Sequence, residues 1–275
     1  MQGKNPWWLG ALGGGLLLAA VPAGAGPIFL TGHDPDYHAQ DSAGARNLLR
    51  VGLEFATGGM AFDSTTRFLW VESFDPIPGG HRRGADGLNA IGLVPGTHYD
   101  WVDAAGFATA DLSAYEAVGI ASAFGGMLTR DELDALVARK ADLEAFINAG
   151  RGLFAASECF PCGANLLAGP TPPDLFGFLP VTVTSIGASP PFTVTPFGSG
   201  LGLVDGDLND PTHNSFGLVG GLSVVDTDAA GNATTLAGVA SVGGDGFTPV
   251  PEPATLALLG AGLGLMGWRR RPAAS

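Results

Sequence analysis

The sequence predicts a three-layer α/β fold, a parallel sheet covered by helices on both faces, with a β-rich C-terminal extension. Three observations carry this. Uncharged strand-like runs alternate with helical stretches through the first two thirds of the body, which is the signature of a parallel sheet buried on both sides. One segment, Thr129 to Asn148, has a full apolar helical stripe. After about Pro170 the helical pattern stops and short β-type runs separated by Gly, Pro, Asp and Asn take over.

In chain order, Ile28 to Thr31 reads as a short buried strand ending in Gly32-His33-Asp34. Ser42 to Ala56 places Ala45, Leu48, Leu49, Gly52, Leu53 and Ala56 on one helical face. Arg67 to Glu72 is a second strand, Gly84 to Leu93 a short helix, Tyr99 to Val102 a third strand and Ala117 to Ala121 a fourth. The long helix is capped by Thr129, with Asp131 and Glu132 in the first turn where the helix dipole favours them. It buries Leu133, Leu136, Val137, Leu143, Phe146 and Ile147, and Gly150 and Gly152 end it before a fifth strand, Leu153 to Ala156. In the extension, Val181–Thr184, Phe192–Val194, Leu222–Val225 and Thr234–Val239 are strand-like. Asp228 to Asn232 is a turn, so the last two form a hairpin. The extension either lengthens the main sheet or makes a small subdomain of its own.

The two ends are of another kind. Lys4, the apolar run Trp7 to Ala20 and Ala23-Gly24-Ala25 have the order of a secretory signal peptide, with cleavage expected after Ala25; an uncleaved anchor is the alternative. The tail runs Val250-Pro251-Glu252-Pro253, then an uncharged stretch from Ala254 to Trp268, then Arg269-Arg270-Arg271. Pro251 and Pro253 exclude helix and keep the first part extended. The apolar run is short for a bilayer span, with Trp268 suited to the interface and the arginines to the cytoplasmic side. A C-terminal core helix is the competing reading, but such a helix gains nothing from a terminal Arg triplet. The expected organisation is signal peptide 1–25, body 26–242, linker 243–249 and sorting signal with transmembrane helix 250–275.

Of 13 Lys and Arg, four lie in these ends (Lys4, Arg269, Arg270, Arg271), and of 26 Asp and Glu one does (Glu252). The body therefore holds nine basic and 25 acidic residues, a net charge of −16. So acidic a surface repels phosphate backbones and excludes nucleic acid as a partner. A charged fraction of 14% belongs to a packed domain rather than a disordered chain.

Two resemblances follow from these residues. The tail resembles the PEP-CTERM sorting signal, which implies secretion machinery and an exosortase as partners. It also implies inner-membrane transit in a Gram-negative bacterium, then a place in the envelope, at the cell surface or outside the cell. The body, through Ile28-Phe29-Leu30-Thr31-Gly32-His33-Asp34, Asp111-Leu112-Ser113-Ala114-Tyr115-Glu116-Ala117-Val118 and Gly150-Arg151-Gly152-Leu153-Phe154, resembles the class I glutamine amidotransferase-like superfamily and its ThuA-like branch over about residues 27–167. This implies a flavodoxin-like sheet with a sharp turn after the fifth strand that lifts a side chain over the carboxyl edge. Here that turn reads Ser157-Glu158-Cys159-Phe160-Pro161-Cys162, without the Gly-x-Cys-x-Gly frame.

Two functions stand side by side. One is a non-catalytic ligand-binding module of the envelope or extracellular matrix, with an extracellular polysaccharide as candidate ligand. The other is a hydrolase or ThuA-like carbohydrate-modifying enzyme using Cys159 or Glu158 with His213 as base. Cys159 and Cys162, the two cysteines of the chain, pair as a disulfide in an oxidising compartment; a redox pair, a nucleophile or half a zinc site are the alternatives. His33, Asp34, Asp36 and His38 follow the first strand at the edge where α/β sheets bind ligands, and as imidazoles and carboxylates they suit a divalent metal. The bland reading is a polar loop whose aspartates cap the next helix. Asp205, Asp207, Asn209 and Asp210 are acidic enough for calcium but lack the Gly and Glu of an EF-hand. His81 with Arg82 and Arg83 is either an anion site or a solvated turn.

Overall fold

In the computed structural model, the described residues are 24–59, 67–156, 166–167, 174–179, 183–208, 214–217, 220–243 and 246–249. The elements in order are β1 (Gly26–Thr31), α1 (Pro35–His38), α2 (Ala43–Ala56), β2 (Phe68–Val71), α3 (Gly84–Ala90), β3 (Tyr99–Val102), α4 (Ala104–Thr109), β4 (Ala117–Ile120), α5 (Arg130–Ala138), α6 (Lys140–Asn148) and β5 (Gly152–Ala155). The extension adds β6 (Ser185–Gly187), β7 (Thr193–Val194), α7 (Pro196–Gly200), β8 (Asn214–Phe216), β9 (Ser223–Thr227), β10 (Ala233–Gly243) and β11 (Gly246–Pro249).

The sheet order is β3-β2-β4-β5-β1-β10-β8-β6, with β9 and β11 paired to β10 and β7 to β9. The first five strands are mutually parallel. Their order is the flavodoxin order 2-1-3-4-5 with the opening strand in the last place. The chain is therefore α/β and compatible with a flavodoxin-like fold. The extension lengthens the main sheet: β10 runs antiparallel to β1 over six residue pairs, Gly26↔Ala240 to Thr31↔Thr235. The hairpin at Asp228–Asn232 forms as expected, with Asp228 Oδ1 accepting from Ala230 N and Asn232 N.

Residue parity along the strands separates the layers. Phe29 and Phe154 face α2, where Gly52 leaves room for both rings. Gly26, of opposite parity in β1, faces the last turn of α6. Helices α1 to α3 thus cover one face, and α4 to α6 the other. On the α2 face, aromatic rings run across the sheet: Phe29 on Phe154 (5.9 Å), Trp70 beside Phe154 (6.2 Å), and Phe68 on Tyr99 (5.4 Å). Trp70 pairs with Gly119 and Gly119 with Phe154, so the indole crosses a strand at its one side-chainless position.

Two expectations change. The segment Thr129–Asn148 is two helices that break at Arg139. The Arg139 guanidinium donates to Phe107 O and Ala110 O at the end of α4 and lies 5.1 Å over the Phe107 ring. There the backbone leaves the helical region (Arg139 φ −103°, ψ 22°), and Val137, expected in the core, is 42% exposed. Thr129 and Glu132 do form a reciprocal cap at the start of α5. The stretch read as a linker, 243–249, contains β11, which pairs with the end of β10 and buries Phe247.

A methyl group added at Gly119 would lie 2.6 Å from Trp70 Cε3, a ring held by Phe68 on one side and Phe154 on the other. Alanine is otherwise the better strand residue, so the sign of Gly119→Ala reports this contact. We expect a loss of about 1–3 kcal/mol in urea unfolding; unchanged or raised stability would mean that the ring is free to move aside.

Candidate functional site

The carboxyl ends of the five parallel strands share one edge, and the strand order reverses between β2 and β4, the kind of switch point where open α/β sheets bind ligands. The loop after β1 reaches it from two strands away. Thr31 closes β1 with its hydroxyl 3.0 Å from that of Thr235 and accepts from His33 N. His33 is buried and turns toward the extension: Nε2 lies 3.3 Å from Asp226 Oδ1 on β9, and its ring meets Phe192 edge-on. Pro35 starts the single turn α1, whose backbone bonds return to Asp34 O. His38 Nε2 stands 3.6 Å from Asp34 Oδ1.

Asp36 points the other way, into the sheet edge. It is fully buried, Oδ2 accepts from Ser122 N after β4 (2.9 Å), and Oδ1 has no hydrogen-bond partner among the described residues. Glycines make this approach feasible: an added Cβ would stand 2.6 Å from Asp36 Oδ2 at Gly126 and 2.8 Å from it at Gly84. Glu72, directly after β2, is also fully buried. Its carboxyl accepts from Trp70 Nε1 (3.0 Å), Ala85 N (3.0 Å) and Gly84 N. Burial pushes Glu72 up to about 8, against those three donors, and the nearby Asp36 charge adds to the rise. Burial likewise pushes Asp36 up to about 6, against its bonds from Ser122. Desolvation is the largest effect at both, and no cation among the described residues offsets it.

Above this acidic floor lies an apolar rim. Phe74 (51% exposed), Ile77 (46%) and Phe124 (40%) present large side chains to solvent. The Phe74 ring meets Trp101 edge-on at 4.9 Å. Arg83 lies 5.5 Å over Trp101 and donates to the carbonyls of Ser73, Phe74 and Asp75, while Arg82 lies 4.8 Å over Tyr37 and pairs with Asp41. Arg82 N donates to Gly125 O, and His81 Nδ1 lies 3.0 Å from Gly126 O. The His81-Arg82-Arg83 run thus fastens the β2–α3 loop to the β4–α5 loop.

The four residues weighed for a metal have separate partners: His33 with Asp226, Asp34 with His38, Asp36 with Ser122. Among the described residues no three His, Cys, Asp or Glu side chains gather to hold an ion. In the acidic loop, Asp205 accepts from Val194 N, and Asp207 from Asn47 and Val204 N. Asn209, Asp210, Ser157, Glu158, Cys159, Cys162 and His213 lie outside the described residues. The chain on either side of them does reach the same edge. Ala156 continues β5 next to β1, and Asn214 O closes on Gly32, where a side chain would clash with it. A shallow cleft of about 550 Å³, lined by Asp111, Ser113, Arg139, Asp142 and Arg151 among others, lies at the opposite, amino edge and contains none of these candidates.

Sequence reading missed Glu72, Ser122, Asp226, Phe74 and Phe124. Two of these left a trace: Glu72 follows the run Phe-Leu-Trp-Val, and Asp226 follows Val-Val within a strand. Ser122 left none, since its role depends on a contact 86 residues away.

Residues 249–271 match the model of the PEP-CTERM protein-sorting motif. The chain carries a PEP-CTERM sorting signal. That signal implies export to the cell envelope or surface and processing by an exosortase. No helix among the described residues is long and apolar enough to cross a membrane, and the apolar run of the PEP-CTERM tail lies outside them. No curated protein and no solved structure shows significant similarity to this PEP-CTERM chain.

The two raised carboxyls make stability depend on pH. The folded body holds protons on Asp36 and Glu72 that free carboxyls release near pH 4. Their contribution is therefore complete below about pH 4 and is lost as pH rises through about 6 and then about 8. The melting temperature should fall between about pH 4 and pH 8. Glu72→Gln, which keeps the shape without the charge, should flatten the upper part of that fall; a wild-type melting temperature that stays level or rises would show both groups ionised in the fold.

Proposed function

We propose that the mature protein is a non-catalytic ligand-binding protein of the cell envelope or extracellular matrix that takes an extracellular polysaccharide at the carboxyl edge of its sheet. The observation that carries this reading is the rim of Phe74, Ile77 and Phe124 with Trp101 and Tyr37 beside it. Arg82 lies over the Tyr37 ring and Arg83 over the Trp101 ring, and the loops beneath are tied to one another by backbone bonds. Flat apolar faces bordered by polar backbone suit the faces and hydroxyl edges of sugar rings. A pre-set surface also loses little side-chain entropy on binding. The carboxyls beneath are buried, with Glu72 taken up by Trp70 and the start of α3, which favours binding over acid–base chemistry. A negative body also suits a neutral glycan better than an anionic one.

The amidotransferase-like resemblance supports the enzyme as a second reading, with Cys159 or Glu158 as the reacting group and His213 as base. It is favoured by one observation: Ala156 and Asn214, which flank those residues in sequence, both lie at the edge that holds His33.

Purified residues 26–249 should bind polysaccharide isolated from cells that export the protein. Phe74→Ala and Phe124→Ala should each weaken binding about three- to ten-fold with little change in melting temperature; equal binding by the double variant would remove the rim from the site. Thiol titration of the unfolded, unreduced protein should find no free thiol at Cys159 and Cys162; two free thiols would exclude the disulfide and favour the enzyme.

A further inference from the structure

Both ends of the body meet at one residue of the sheet. Ala240 of β10 pairs with Gly26 of β1 on one side and with Pro249 of β11 on the other. Adjacent strands lie roughly 4.8 Å apart, so Gly26 and Pro249 are separated by a single strand, roughly 10 Å. Gly26 is the residue expected to follow signal-peptide cleavage, and Pro249 is the first residue of the matched sorting motif.

β11 is not a loose tether. Val242↔Phe247, Ser241↔Thr248 and Ala240↔Pro249 are in register, and the Phe247 side chain is buried. The backbone of Phe247 lies against Gly221, a left-handed glycine (φ 92°) where any side chain would strike Phe247 Cβ and O. The end of β10 is itself fastened: Val242 N donates to Asn148 Oδ1 (2.8 Å) and Asn148 Nδ2 to Val242 O (2.6 Å), which ties it to α6. Only Val250 stands between the last residue of β11 and the Pro-Glu-Pro sequence at 251–253.

A protease or transpeptidase grips its substrate as an extended strand over several residues, using the same backbone groups that a sheet uses. The residues just before Pro-Glu-Pro are already committed to β10. We propose that β11 is a latch on the sorting signal: pairing of β11 with β10 competes with the processing enzyme for residues 246–249, and the chain is processed only when β11 lets go. The latch rests on the sorting-signal reading and adds the body's own fold as the element that controls access.

The test follows processing of the pulse-labelled full chain in cells that carry an exosortase, with the product identified by mass. Inserting about eight Gly and Ser residues between Pro249 and Val250 leaves β11 intact and keeps residues 250–271 of the motif together, parting them only from Pro249, the residue that β11 and the motif share. Processing should then be roughly ten-fold faster, the reciprocal of the open fraction that burial of one Phe allows. The same insertion between Gly58 and Gly59, an exposed turn after α2, lengthens the chain but leaves both β11 and its junction with the motif unchanged, and should leave the rate unchanged. Phe247→Asp, which unseats β11, should match the first insertion, with the circular dichroism of the body retained. Equal rates for the wild type and the first insertion would overturn the latch and leave the sorting reading standing, as would equal acceleration by both insertions. No processed product from any chain, the wild type included, would overturn the sorting reading itself.

Discussion

At the middle of the parallel sheet one residue has no side chain, Gly119, and the indole of Trp70 lies across the space this leaves. That placement joins the core to the candidate site. On one side the indole meets Phe154, and through it Phe29 and the inner face of α2. On the other, its Nε1 donates to Glu72, the residue where β2 gives way to the carboxyl edge. Glu72 in turn takes the first backbone donors of α3, so the helix is set by a carboxyl that is itself set by the core. The start of α3 also stands against Asp36 and fixes the depth to which the β1 loop descends. A larger residue at position 119 would push on each of these in turn.

The carboxyl edge is thus built in two tiers with different chemistry. The lower tier is polar and dry: Asp36, Glu72 and the His33–Asp226 pair are buried, and their bonds tie β1, β2, β4 and β9 together. Buried polar groups of this kind contribute less to net stability than to uniqueness of arrangement, because each alternative packing leaves some of them without partners. The upper tier is apolar and wet, with rings held by guanidinium groups over a loop rich in Pro and Gly. Guanidiniums that could have bound anions are used for carbonyls and ring faces. A rigid apolar surface follows on a molecule whose net charge is strongly negative.

The extension changes what the parallel half can be. An open sheet ending at β1 would leave an exposed edge strand, prone to pair with other chains. The long β10 covers it, and β9 brings Asp226 to His33. The extension also carries the chain back to where it entered, so that the two addressed ends leave the body side by side. A linker would have freed the sorting signal from the fold; here the residue before Val250 is paired with β10 instead.

Local signals determined much of this. Apolar runs with the right period, the Thr129 cap and the turn at Asp228 marked the five parallel strands, α2, the start of α5 and the last hairpin, because short-range physics alone decides each. The tail was legible for a different reason: a sorting signal must be read as an extended peptide, so its information is in its linear order. What the sequence left open was settled by distance. The break at Arg139 comes with its contacts to carbonyls of α4, the raised pKa of Glu72 depends on burial, and the strand at 246–249 on an edge that exists only once β10 has docked on β1. Four residues between Gly and Pro look like a linker until a partner strand offers its backbone. Which of the polar residues after β1 turn inward and which turn to the extension was likewise decided by Ser122 and Asp226, residues far along the chain that only the folded sheet brings near.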